Sequence, residues 1–135
     1  MKELVIEAKV EALDRVLAFV DELLEETACS MKTKMQIDVV VEEVYVNIAS
    51  YAYAPGTGQV QIRAEVSEDP AMLTVIFADS GTPYNPLLRE DPDVTLPAEE
   101  REVGGLGVYL TKKFMDEVTY DYRDHQNILT IKKRL

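Results

Sequence analysis

Glu43 and Asn47 stand one helical turn apart in the stretch Glu43-Val44-Tyr45-Val46-Asn47, a spacing that puts a carboxylate and an amide side by side on one face of a helix. Asparagine is a poor helix-interior residue, so the position asks for a use of its side-chain oxygen, and that oxygen is a hard ligand suited to Mg²⁺. A carboxylate beside such a metal could orient or deprotonate a nucleophile. Taken alone, the pair also fits an ordinary solvated helix face. Glu42 lies one position off the Asn47 face and is expected in solvent.

A second cluster, Phe77-Ala78-Asp79-Ser80-Gly81-Thr82-Pro83, ends an apolar run in an acidic residue with a glycine two positions on. A carboxylate there can accept a hydrogen bond from an amino group such as the exocyclic amine of adenine, and Gly81 would let a flat ring approach the backbone. The same tripeptide is also a common turn after a strand. A third cluster, Gly104-Gly105-Leu106-Gly107, leads directly into a helical pattern. It supplies the exposed N–H groups and positive helix end that phosphates prefer, although glycines also cap and pack helix starts. No Gly-Lys-Ser/Thr follows, so it is not a P-loop, and no parallel-sheet strand precedes it as in a dinucleotide fold.

These clusters need elements to hold them. Residues 2–8 read as a strand, and Leu13, Val16, Leu17, Val20, Leu23 and Leu24 recur at helical spacing through residue 26. A polar turn around Ser30 leads to a second helix over residues 33–53, with Ile37, Val40, Val41, Val44 and Ile48 on one stripe, ended by Ala54-Pro55-Gly56-Thr57-Gly58. Alternation over residues 59–66 and a more continuous apolar run over 72–78 predict an antiparallel hairpin. Residues 80–103 carry Pro83, Pro86, Pro92 and Pro97 and no period, which makes them the longest irregular segment. Residues 104–117 return to helical spacing, and strands over 118–123 and 128–133 flank an Asp124-His125-Gln126-Asn127 turn. The order β-α-α-β-β-α-β-β predicts an α+β fold: a two-layer α/β sandwich with a mixed, mostly antiparallel sheet and its helices on one face.

At 135 residues the chain is expected to form one domain, spanning residues 1–135, with a core burying roughly two thirds of its unfolded surface. The formal charge of −11 opposes extended contact with nucleic acid or an anionic membrane, but not with a nucleotide whose charge is neutralised locally. Cys29 is the only cysteine, which rules out an intrachain disulfide or a multi-cysteine metal site. With no apolar run near the ~20 residues of a membrane span and no secretory pattern in residues 1–10, the expected location is the cytoplasm.

The order of the three clusters is more telling than any one of them. Helical Glu-x-x-x-Asn, then strand-Asp-x-Gly, then a long loop, then Gly-Gly-Leu-Gly-helix resembles the N, G1 and G2 boxes of the GHKL ATPases. Within that superfamily the stretch Asp79-Ser80-Gly81-Thr82-Pro83-Tyr84-Asn85-Pro86 and the helix end Phe114-Met115-Asp116-Glu117-Val118 resemble the stand-alone anti-sigma-factor serine/threonine kinases, over roughly residues 4–135. The resemblance implies the Bergerat-type ATP-binding fold, with ATP and Mg²⁺ as ligands. It implies Asn47 as Mg²⁺ ligand, Glu43 as catalytic base, Asp79 on the adenine amine and Gly81 shaping the adenine pocket. Gly104, Gly105, Leu106 and Gly107 would meet the phosphates, and Thr130 would add a polar contact near the adenine. Residues 86–103 would be the ATP lid, with Arg101 reaching the terminal phosphate.

Two positions depart from that pattern. Tyr51 stands where many relatives carry histidine, and Pro83 replaces a second glycine and stiffens the exit from the strand. His125, the sole histidine, is expected to be a surface turn residue. The activity implied is ATP-dependent phosphorylation of an anti-sigma-factor antagonist by a protein that also sequesters a sigma factor, in a chain able to form a homodimer. A nucleotide switch that regulates a partner without phosphotransfer stands beside it, and a plain α/β scaffold behind both.

Overall fold

The structure, a computed structural model, describes residues 1–88 and 105–135, with backbone only at 105 and 106. Strand β1 (Lys2–Glu7) is followed by helices α1 (Leu13–Glu25) and α2 (Met31–Asn47), the hairpin β2 (Gln59–Ser67) and β3 (Met72–Asp79), helix α3 (Gly105–Phe114) and the hairpin β4 (Glu117–Arg123) and β5 (Gln126–Arg134). The strands form one five-stranded sheet in the order β1-β2-β3-β5-β4. Each neighbouring pair is antiparallel, so the sheet is antiparallel throughout where a mixed one was expected. The connections explain this: β2 to β3 and β4 to β5 are hairpins, and β3 and β5 meet with opposed directions after the α3 excursion.

The register decides what lies beneath the helices. Ile62 pairs with Phe77 and Phe77 with Leu129, while Val60 pairs with Asp79 and Asp79 with Asn127. Side chains alternate along a strand, so these residues share one face. Its apolar members pack with Val16, Val20 and Leu24 of α1 and Ile37, Val40, Val41 and Val44 of α2 in a single buried cluster. Each such side chain contributes about 1.5–3 kcal/mol on burial. The other face carries Gln61, Arg63, Thr74, Thr130 and Lys132, which is why the sheet needs helices on one side only.

Local chemistry sets the ends of α2. Ser30 Oγ accepts the Thr33 N–H at 3.1 Å, which caps the helix and starts it at Met31, two residues before the periodic stripe suggests. Past Asn47 the coil widens into a π-helical turn, Ile48–Ala52. Tyr45 is fully buried, and its hydroxyl donates to Lys9 O at 2.7 Å and accepts the Lys9 N–H, tying α2 to the link after β1. Helix α3 stops at Phe114, before the expected end, because Asp116 N–H already bonds Lys132 O at 2.9 Å and begins the ladder of β4 on β5.

Candidate functional site

Helix α2 and strand β3 bring their motif residues to one cavity of about 490 Å³, open between the helical layer and the end of the sheet, a volume in the range of ordinary small-molecule sites. Glu43, Asn47, Ile48 and Tyr51 line it from α2 and the π turn, Phe77 and Asp79 from β3, Val108 and Thr111 from α3, and Asn127 and Leu129 from β5. A π turn inserted after Asn47 is a feature that recurs at functional sites.

Asn47 Nδ2 donates to Glu43 Oε1 at 3.2 Å. The amide nitrogen is thereby turned toward the carboxylate and Asn47 Oδ1 is left as an acceptor at the cavity. Asp79 is only 5 % exposed. Its Oδ1 accepts the Gly81 N–H at 2.9 Å and Asn127 Nδ2 at 3.0 Å, whereas Oδ2 receives no donor from the described residues. Asp79 lines the cavity, so this oxygen is an acceptor available to a ligand N–H.

Gly81 packs closely against the π turn. A β-carbon on it would lie 2.2 Å from Ala52 O, and the Thr82 N–H donates to that same oxygen at 2.8 Å. The missing side chain therefore lets the segment after β3 press on the end of the π turn. Gly107 has a comparable neighbour on the other side: a β-carbon would lie 1.9 Å from the Glu43 carboxyl. The first turn of α3 sits on the carboxylate of the α2 motif, and the Thr111 hydroxyl donates to Gly107 O at 2.9 Å. The backbone of Gly105 and Leu106 opens α3, as expected, while Gly104, Arg101 and residues 89–103 of the expected lid lie outside the described residues.

Thr130 is misplaced by the sequence reading. It pairs with Ile76 and Thr119 on the opposite face of the sheet, out of phase with Leu129 and Ile131, and does not reach the cavity. The polar residue that β5 contributes is Asn127, 8 % exposed and directly opposite Asp79. Its Nδ2 donates to Asp79 Oδ1 and to Thr82 O, both at 3.0 Å, and its Oδ1 accepts the Tyr84 N–H at 3.1 Å and the Tyr120 hydroxyl. Burial pushes the Tyr120 hydroxyl above the usual tyrosine value, so it remains the donor. Pro83 and the exposed Tyr51 also line the cavity, and His125 takes a left-handed conformation (φ 61°) in the exposed β4–β5 turn. Glu42 is exposed, as its position predicts.

The sequence profile of the histidine-kinase-like ATPase domain matches residues 6–133, nearly the whole of the described fold. The chain belongs to that family. Similar proteins include the serine/threonine-protein kinase BtrW of Bordetella bronchiseptica, 26 % identical over 102 residues that cover 76 % of this chain and 71 % of the relative. The serine-protein kinase RsbW of Bacillus cereus is 29 % identical over 98 residues, covering 70 % of this chain and 60 % of RsbW. The histidine kinase domain of the blue-light-activated histidine kinase EL346 from Erythrobacter litoralis superposes with a TM-score of 0.56 at 19 % identity, over 93 % of this chain and 60 % of that one. That likeness establishes the α+β fold of the histidine-kinase-like ATPase domain here.

The donor set of this ATPase domain suits a Mg²⁺ held chiefly by nucleotide. Among the described residues there is no group of three His, Cys, Asp or Glu side chains that could hold a metal, and the hard oxygens that α2 brings to the cavity are those of Asn47 and Glu43. Mg²⁺ commonly takes one or two protein oxygens and completes its shell with phosphate and water. Among the described residues no helix is long and apolar enough to cross a membrane.

Proposed function

We propose that the chain is an ATP-dependent serine/threonine protein kinase of the anti-sigma type, which phosphorylates an anti-sigma-factor antagonist and sequesters a sigma factor. The observation that carries the reading is the meeting of Glu43, Asn47 and Asp79 on one cavity, with Glu43 bonded to Asn47 on α2 and Asp79 lining it from β3. The relatives named as serine or serine/threonine kinases support the substrate class.

Asp79 Oδ2 accepts the adenine amine, while Phe77 and Leu129 supply the apolar walls for the ring. Asn47 Oδ1 holds Mg²⁺, which when bound neutralises phosphate charge. The N–H groups at the start of α3, at Gly105, Leu106 and Gly107, face the phosphates, and Gly104 is assigned to them as well. Glu43 takes the proton from the acceptor serine or threonine hydroxyl as its oxygen attacks the terminal phosphorus, and ADP leaves with the electron pair of the broken P–O bond. Arg101 is assigned to the terminal phosphate. Residues 1–135 act as one ATP-binding domain, located in the cytoplasm and able to form a homodimer.

The test is calorimetric titration of Mg-ATP followed by a labelled-phosphate transfer assay with candidate antagonists, on wild type and Glu43→Gln. Binding by both with transfer by wild type alone supports the proposal. Transfer by Glu43→Gln at the wild-type rate sinks the role of Glu43. Tight binding without transfer to any antagonist replaces the kinase with a nucleotide switch, and no binding at all leaves a scaffold.

A further inference from the structure

We propose that Asn127 is the positioning residue through which this cavity selects a 6-aminopurine over a 6-oxopurine, an inference that rests on reading the cavity as a purine nucleotide site. An asparagine side chain has two donor hydrogens and an oxygen with two lone pairs. Here the hydrogens go to Asp79 Oδ1 and Thr82 O, and the oxygen takes the Tyr84 N–H and the Tyr120 hydroxyl. With every position filled and the side chain buried, the amide can neither flip nor rotate without orphaning several partners at once.

The consequence falls on Asp79. Its Oδ1 is held by Asn127 and by the Gly81 N–H, and Oδ2 is what Asp79 has left for a ligand. A 6-amino group brings a hydrogen to that oxygen. A 6-oxo group brings a second acceptor, which gains nothing and loses its water, and sites of this kind discriminate strongly against the unpaired analogue. Asn127 also ties the same carboxylate to Thr82 and Tyr84, so the segment leaving β3 and the base-reading group are held as one unit.

Replacing Asn127 changes the reading in a specific way. In Asn127→Asp a carboxyl would stand 3.0 Å from Asp79, and two buried carboxyls at that distance hold one proton between them. That proton weakens Asp79 as an acceptor for a 6-amino group, while Oδ2 still carries no hydrogen for a 6-oxo group, so the difference between the two purines shrinks. In Asn127→Ala one of the two donors on Oδ1 is gone and the carboxylate is free to turn.

The experiment measures dissociation constants for Mg-ATP and Mg-ITP, which differ at the 6-position, for wild type, Asn127→Asp and Asn127→Ala, with melting curves for each. The expected wild-type preference for ATP is roughly tenfold or more, from a hydrogen bond to a charged group. In Asn127→Asp it narrows to about threefold or less, and Asn127→Ala loses about tenfold in ATP affinity with ITP little changed. A general loss of packing would weaken both nucleotides together. A folded variant that keeps the wild-type ratio overturns the inference, as does a wild type that binds both equally; if one variant does not fold, the ratio in the other decides. A wild type that binds neither nucleotide overturns the reading of the cavity itself.

Discussion

Gly107 lies so close to Glu43 that a β-carbon on the glycine would come within 1.9 Å of the carboxyl carbon and of Oε1. The contact joins the third sequence motif to the first, because the turn that opens α3 rests on the side chain that α2 presents beside Asn47. In Gly107→Ala either α3 or the Glu43 carboxylate must move. The obstructing atoms are the end of a flexible side chain, so the carboxylate is expected to turn aside at little cost in stability, with phosphotransfer reduced roughly a hundredfold as Glu43 leaves its position. Urea unfolding and labelled transfer measure the two effects. In Gly107→Ala combined with Glu43→Ala, transfer should be no lower than in Glu43→Ala alone, since the second change removes the carboxylate that the first displaces.

Asp79→Asn tests the β3 side of the cavity. The amide oxygen of the variant side chain can still accept the Gly81 N–H, so the fold should persist with a melting temperature near that of wild type. The hydrogen bond to the ligand would lose its charged acceptor, worth about 1.5–3 kcal/mol, or roughly a ten- to hundredfold weaker Mg-ATP dissociation constant. Calorimetry reads this directly, and an unchanged constant would remove Asp79 from the base-binding role.

Much of this arrangement was legible in the residues. The stripes of α1 and α2 and the alternation of β2 made the α+β layering readable, because burial of a periodic face is a local pattern. The meeting of Glu43, Asn47 and Asp79 followed from motif order. Asn127 was missed because its importance depends on register: only the pairing of β3 with β5 shows that it faces Asp79. One signal was available, since Leu129 and Ile131 alternate in phase with Asn127 and out of phase with Thr130, which places Thr130 on the outer face. The contact of Gly81 with Ala52 was not readable at all, for the two are distant in sequence and the contact is purely tertiary.

That tertiary contact gives its own prediction. Gly81 shows no left-handed backbone, so the objection to a side chain is steric alone, with Ala52 O at 2.2 Å and Ala52 C at 2.6 Å from the β-carbon. The obstructing atoms are backbone and cannot rotate aside. Gly81→Ala should therefore cost about 1–3 kcal/mol in urea unfolding and break the Thr82 N–H bond to Ala52 O. Nucleotide affinity should fall as well, because the same displacement carries Asp79 and Thr82 with it. A variant as stable as wild type would mean that the segment after β3 is free to settle elsewhere.

The interface of α1 and α2 carries a pH dependence of its own. Lys34 Nζ lies 3.7 Å from both Asp21 Oδ2 and Asp38 Oδ2, while Asp21 Oδ1 and Asp38 Oδ1 are buried with no partner. Burial first, and then the neighbouring Asp21 carboxyl, push the Asp38 carboxyl up from 3.8 to about 6, against the opposing pull of Lys34. A carboxyl whose folded value is raised binds its proton more tightly in the native state. Its ionisation therefore costs stability as pH rises from the unfolded value through about 6, and the cost is complete above that. An asparagine in its place cannot ionise and offers Asp21 a donor. Asp38→Asn should be more stable than wild type at about pH 8, and its advantage should shrink on acidification and vanish near pH 4, below which the carboxyl is protonated in the folded and the unfolded chain alike. The measurement is the difference between wild-type and variant urea stabilities across this range, which cancels the other carboxylates. A difference that does not change with pH would mean that Asp38 titrates alike in the folded and unfolded chain.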